Sequence, residues 1–169
     1  SSIKNLGVFQ WNITTNTLRN NISKREQIST RIDKIEIDTY GNTWFGSADG
    51  LYKLPRRATR FMSYKTDPRS LNSLPVNAIL DFTQQGKYLW VGTENGGVSR
   101  LNILTNQITT FATEKNDPFS ISDNSAWVVY KDHQERIWVG TFSKGLCVYD
   151  KLKYKFQELD VELENDIVN

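Results

Sequence analysis

The chain has 169 residues, 38% of them hydrophobic and 24% charged, with a net charge of +2. That balance excludes a disordered chain, and the interspersed charges exclude the electrostatic footprint of a nucleic-acid binder. The single cysteine, Cys147, excludes an internal disulfide; no stretch approaches the about 18 apolar residues of a membrane span, so no direct membrane insertion is expected.

The elements follow one another as short strands. "GVFQWN" at 7–12 alternates apolar and polar residues, and a second run opens at Leu18 after the turn residues "TTN". Next come a front segment, "RIDKIEID" at 31–38, and then "NTWFGSADG" at 42–50, "LYKLP" and "FMSY". The same order returns twice: "NAILDFTQ" (77–84), "YLWVGTENGG" (88–97), "VSRLN" and "ITTFAT"; then "NSAWVVYKD" (124–132), "RIWVGTFSKG" (136–145), "LCVYD" and "FQEL". "ENDIVN" at the C-terminus opens one more front segment. The basic stretch "LPRRATR" (54–60) reads as a solvated turn.

The closing glycines, Gly50, Gly97 and Gly145, stand 47 and 48 residues apart. Four short strands, A to D, per unit of that length are the size of a β-propeller blade. The expected fold is an all-β propeller fragment of about three and a half four-stranded antiparallel blades. Residues 1–30 are the back half of one blade, 31–74, 75–122 and 123–164 are three blades, and 165–169 is the first strand of another. All are parts of one larger propeller domain.

Within strand B, Trp44, Trp90 and Trp138 share a face with Gly46, Gly92 and Gly140, because residues i and i+2 point the same way. The residue between is apolar, so both faces are expected to be buried between neighbouring blades. The glycine then leaves room for a bulky group from the next sheet or for its own tryptophan to lie flat. A tryptophan repeated at one position reads as core, not as a sugar platform. Trp11, in the place of Leu54, Leu101 and Tyr149, is also expected in the core. Trp127 replaces Leu80 in a front strand and is a candidate for a ligand channel near the axis.

These segments resemble a known family. "NDPFSISDNSAWVVYKDHQERIWVGTFSKGLCVYD" (116–150), "TDPRSLNSLPVNAILDFTQQGKYLWVGTENGGVSRLN" (66–102) and "IDKIEIDTYGNTWFGSADGLYKL" (32–54) are similar to the two-component regulator propeller repeat. Gln84 departs from it where an Asp is common, and Asp49 where the first of two glycines often stands. The resemblance implies the periplasmic sensor region of a bacterial hybrid two-component system. There, seven-bladed propellers precede a small β-domain, a membrane span and a histidine kinase. It implies a non-catalytic detector of an oligosaccharide or similar nutrient; from the residues themselves, no cofactor and no metal are expected. The expected partners are the remaining blades, an oligosaccharide, and a second copy paired through open sheet edges. A closed four-bladed ring is the alternative architecture, and a protein-interaction scaffold the alternative function.

Binding in propellers lives on the face carrying the D–A and B–C loops, or along the axis. The B–C loops, 47–49, 94–96 and 142–144, differ in every copy and are where specificity can be built. Glu94, Asn95, Phe142 and Lys144, with Trp127, are the candidate ligand-binding residues. In the first copy only "SAD" (47–49) is expected to be free for function. Asp67-Pro68 and Asp117-Pro118 read as turn formers, and Asn77 and Asn124 as backbone acceptors where strand A begins. No catalytic constellation or metal-ligand spacing appears, since the one histidine, His133, sits in an ordinary A–B turn.

Overall fold

The computed structural model describes residues 9–12, 14–15, 17–20, 32–58 and 60–159. Strands β1 (Phe9–Asn12) and β2 (Thr17–Asn20) form an antiparallel pair. The side chain of Trp11 and the expected strand at 165–169 lie outside the described residues. Three four-stranded sheets follow. The first is β3 (Ile32–Ile37), β4 (Thr43–Ser47), β5 (Gly50–Leu54) and β6 (Met62–Tyr64). The second is β7 (Ile79–Gln85), β8 (Tyr88–Thr93), β9 (Val98–Asn102) and β10 (Ile108–Phe111). The third is β11 (Ala126–Lys131), β12 (Ile137–Thr141), β13 (Leu146–Asp150) and β14 (Lys155–Leu159). Each is a simple meander, because every connection is too short for anything but a return beside the preceding strand.

The sheets stack face to face, with β7 against β3 and β4, and β11 against β7 and β8. Trp44 is fully buried in one core with Leu74, Ile79, Phe82 and Leu89, and Trp90 in the next with Ile121, Val129, Val139 and Phe156. The glycine after each tryptophan makes this stacking possible. A Cβ on Gly46 would lie 2.9 Å from Ile79 Cγ2, and one on Gly92 would lie 2.6 Å from the Ala126 carbonyl oxygen. The room is therefore for the next sheet's inner strand, not for the tryptophan itself. Trp138, expected in the core as well, is only half-buried. It faces away from the second sheet, and no further sheet covers it among the described residues.

The A–B turn fixes each tryptophan. Asp38 Oδ1 accepts the backbone N–H of Tyr40 and Asn42, at 3.0 and 2.8 Å, while Oδ2 accepts the indole N–H of Trp44 at 2.8 Å. Asp132 repeats this with Gln134, Arg136 and Trp138. In the middle blade the turn is one residue shorter, and Gln85 Oε1 accepts the Trp90 N–H at 3.2 Å. The residue that stands in for the usual Asp is thus Gln85, not Gln84. Gln84 reaches the preceding blade instead, accepting the N–H of Thr39 at 2.7 Å.

Burial raises the pKa of the Asp132 carboxyl, but the hydrogen bonds from Trp138, Arg136 and Gln134 outweigh it and hold the group well below the usual carboxylate range. Its ionised form therefore stabilises the fold above the unfolded value of about 4. That contribution is lost as pH falls through the folded value. Asp132→Asn is expected to lower the melting temperature most near neutral pH. The gap from the parent chain should close steadily on acidification below about pH 4, as read by melting curves across pH. A gap that does not depend on pH would contradict the linkage.

Two devices tie one blade to the next. Each inner strand has a one-residue register shift, between Ile32 and Lys34, Ile79 and Asp81, and Ala126 and Val128. Each inner strand is also the edge of its sheet and presents unpaired backbone groups there, and Asp81 answers one of them. Its Oδ2 accepts the Val129 N–H at 3.0 Å, and its Oδ1 meets Lys34 Nζ at 2.9 Å. One carboxylate thus joins three consecutive blades.

The second device is a strap formed by the D–A loop. Asn72 Oδ1 accepts the N–H of Ile108, the first residue of the next blade's outer strand, at 2.7 Å. One blade on, the Phe119 carbonyl accepts the matching N–H of Phe156 at 3.0 Å. Leu74 and Ile121 bury the straps' apolar anchors. Asn77 and Asn124 each accept a loop N–H, from Thr66 and Thr113, at 2.8 Å. Asp67 and Asp117 cap their own turns through the N–H of Arg69 and Phe119, both at 3.0 Å.

Candidate functional site

The hydroxyl that follows Trp-x-Gly closes each B–C turn. Ser47, Thr93 and Thr141 donate to the carbonyls of Gly50, Gly97 and Gly145, at 3.0, 2.9 and 2.9 Å. In the first blade this consumes most of "SAD". Asp49 Oδ1 shares the Ser47 hydroxyl proton with the Gly50 carbonyl, at 2.7 Å from Oγ, and accepts a hydrogen bond from Tyr52 Oη at 2.9 Å, while Lys65 Nζ lies 3.6 Å from its other oxygen. Burial raises the Asp49 pKa, but these partners bring it below the usual range. Asp49 thus braces its own turn while its side chain remains 44% exposed, and Ala48 stays in solvent.

The second and third B–C loops are joined to each other. Asn95 takes a left-handed backbone, φ 64°, as asparagine tolerates. Its N–H approaches Ser125 Oγ at 3.3 Å, and that hydroxyl donates to Asn95 Oδ1 at 3.0 Å. The Ser125 carbonyl in turn accepts the Phe142 N–H at 2.9 Å. Asp123 Oδ1 accepts the Ser125 N–H at 2.9 Å, and its Oδ2 accepts Ser143 N–H and Oγ–H at 3.0 and 2.6 Å. These bonds, first from Ser125 and then from Ser143, hold the Asp123 carboxyl below the usual range.

On this frame stand two exposed aromatics. Trp127, 55% exposed, stacks on Phe142, 67% exposed, with ring centroids 5.1 Å apart and 28° between planes. Side chains of that size left in water, and held in a fixed stack, form a flat apolar platform. Lys144, two residues past Phe142, and Glu94, next to Asn95 on the second blade's loop, are both exposed, on the loops that Asp123 and Ser125 hold. The five candidates thus divide: Trp127 and Phe142 meet directly, Asn95 is tied to the same frame and braces it, and Glu94 and Lys144 stay in solvent. Asp123 and Ser125 were missed by sequence reasoning. The signal was available, because Ser125 breaks the repeat where the second blade has Ala78.

A concavity lies on the outer face of the third sheet. Val128, Tyr130, Trp138, Gly140 and Leu146 line a groove of about 460 Å³ whose rim holds His133 and Arg136. Val128 and Tyr130 are 52% and 60% exposed. Trp138 and Gly140 are the counterparts of the Trp-x-Gly face that the next sheet covers in the two earlier blades, which makes the groove a sheet seat by pattern. Among the described residues no three His, Cys, Asp or Glu side chains are grouped as metal ligands, and no helix is long and apolar enough to cross a membrane.

Consecutive meander sheets packed through a repeated Trp-x-Gly face, with variable loops at one end, define a segment of a β-propeller. Residues 120–143 match the family described as two component regulator propeller. The chain is 33% identical over 107 residues to histidine kinase P4 of Formosa agariphila, a match that takes in 62% of this chain but 8% of that protein. Solved extracellular domains from B. thetaiotaomicron have the same fold. That of the hybrid two component system BT4673 gives a TM-score of 0.70 at 23% identity, over 96% of this chain and 20% of its own. That of BT3049 gives 0.69 at 24% identity, over 76% and 18%. The chain thus spans less than a tenth of the curated relative and about a fifth of these solved domains.

Proposed function

We propose that the chain is a segment of a non-catalytic sensor propeller in a periplasmic ectodomain, which binds an oligosaccharide or similar nutrient and signals to an attached histidine kinase. The observation that carries this reading is the Trp127–Phe142 stack, fixed at the loop-bearing end of a two-component regulator propeller repeat. Indole and phenyl faces take the apolar C–H face of a pyranose ring, while Glu94, Asn95 and Lys144 offer hydrogen-bond partners for hydroxyls. The matches to a histidine kinase and to extracellular domains of two-component systems support the signalling context. The remaining blades are its immediate partners, with the following sheet seated in the groove over Trp138 and Gly140. Where that sheet is missing, a second copy takes the open edge.

A thermal-shift screen of oligosaccharides against the complete ectodomain tests the reading. A ligand at about 100 times its Kd adds roughly 2.7 kcal/mol to stability, enough to raise the melting temperature by a few degrees. Stabilisation by one class of saccharide is the expected result. No shift with any saccharide, together with tight binding of a protein, would replace the sensor by a scaffold.

A further inference from the structure

The register shifts leave one surplus residue per inner strand, always at the same place: Asp33, Leu80 and Trp127. The residues around them are not free to change. Ile79 and Phe82 roof Gly46, and Ala126 and Val129 roof Gly92, so packing dictates their size. The surplus residue is released from that duty, and its chemistry differs in every blade: a carboxylate, an aliphatic chain, an indole. This position keeps access to solvent even where a following sheet is packed against the blade. Asp33 is exposed and Leu80 half-buried although a following sheet is in place beside both. Bulges recur where a strand must re-aim one side chain beside a site.

We propose that these bulge positions determine ligand specificity, one per blade, and that Trp127 is the stacking residue of a saccharide site at the loop-bearing end. The inference rests on the sensor reading and assigns its selectivity to particular residues. The bulge is built to hold its aim. The Asp81 carboxylate accepts the N–H of Val129, two residues past Trp127, at 3.0 Å. Phe142 backs the indole and is itself pinned to the Ser125 carbonyl. A saccharide presenting one ring face to Trp127 meets the Asn95 loop on the adjoining blade, and the bulge residues of the neighbouring blades read its other substituents.

The test uses the complete ectodomain and calorimetric titration with tetrasaccharides from cellulose, xylan, laminarin, alginate and pectin. Trp127→Leu installs the residue type that the second blade already carries, and Leu152→Ala alters the opposite end of the third blade. The saccharide that binds the parent protein should bind Trp127→Leu at least about tenfold more weakly, about 1.4 kcal/mol, at an unchanged melting temperature. Leu152→Ala should bind as the parent does. If Trp127→Leu also lowers the melting temperature, Trp127→Phe decides: restored affinity supports stacking, and lost affinity overturns it. Full affinity in Trp127→Leu overturns the bulge assignment and leaves the sensor standing. No binding of any probe by the parent protein overturns the sensor reading and this inference with it.

Discussion

Trp90→Ala is expected to destabilise the chain by about 3–5 kcal/mol, the range for deleting a large aromatic from a core. Trp90 is fully buried and stands at the meeting of two sheets. Its ring contacts Phe111, Tyr149 and Phe156, with centroids 5.7, 4.5 and 6.2 Å away. The Arg100 guanidinium lies over it at 5.5 Å and over Tyr88, Phe111, Tyr149 and Tyr154 at 4.7 to 5.9 Å. Arg100 Nε is buried without a hydrogen-bond partner, so the rings and the bond from Nη1 to Tyr149 Oη are what offset its burial. Removing Trp90 opens a cavity and strips this cation of one face at once. Trp138→Ala removes the same side chain from a half-buried position and is expected to cost well under half as much. Denaturant titration of the two variants makes the comparison, and equal losses would contradict the assignment of Trp90 to a closed interface and Trp138 to an open one.

Gly97→Ala should be nearly as damaging, for a different reason. Gly97 has φ +76°, and a Cβ there would sit 2.1 Å from the Phe111 carbonyl oxygen and 3.2 Å from Ala112 Cα. The left-handed backbone costs roughly 1–2 kcal/mol with any side chain. The collision adds roughly 1–3 kcal/mol, because backbone of the adjacent strand has to move. Gly145 provides the control. Its φ is +75°, but nothing lies within 4 Å of the added carbon. Gly145→Ala should therefore cost only the conformational part, about 1 kcal/mol. The difference between the two variants in urea midpoint isolates the steric component. If they are equally destabilised, the close approach of Phe111 is not what requires glycine at 97.

The blade was legible because its period is carried by residues with no substitute: an indole, a glycine two positions on, and a turn-closing glycine. The family match to residues 120–143 falls on the stretch where the repeat is fullest. Errors came where one residue was gained or lost. The middle A–B turn is shorter by one, so counting along the chain assigned to Gln84 the role that Gln85 performs. The bulges defeat period-2 reading: alternation pairs Ile79 with Asp81, whereas the extra residue brings Ile79 and Phe82 together over Gly46. The burial of Trp138 could not be read at all, because it depends on a sheet outside the repeat that contains it. In the candidate site, Trp127 and Phe142 were each legible as breaks in the pattern, but their contact was not. It depends on the bulge and on Ser125, and neither announces itself in one blade alone. Asp49 looked free because its partners, Tyr52 and Lys65, belong to other strands.

The strap has a consequence for where this protein can be cut. The segment from Thr66 to Asn77 is written after the first blade's last strand, yet its hydrogen bonds and its buried Leu74 belong to the second sheet. A piece excised at strand boundaries would carry away one strap and leave the first N–H of its own outer strand uncapped. The self-sufficient unit therefore begins a dozen residues upstream of its inner strand and ends with its outer one. Permuted or truncated forms cut just before Thr66 keep the strap bonds within one molecule, while cuts placed between Asp67 and Ile79 divide a unit from its own clasp.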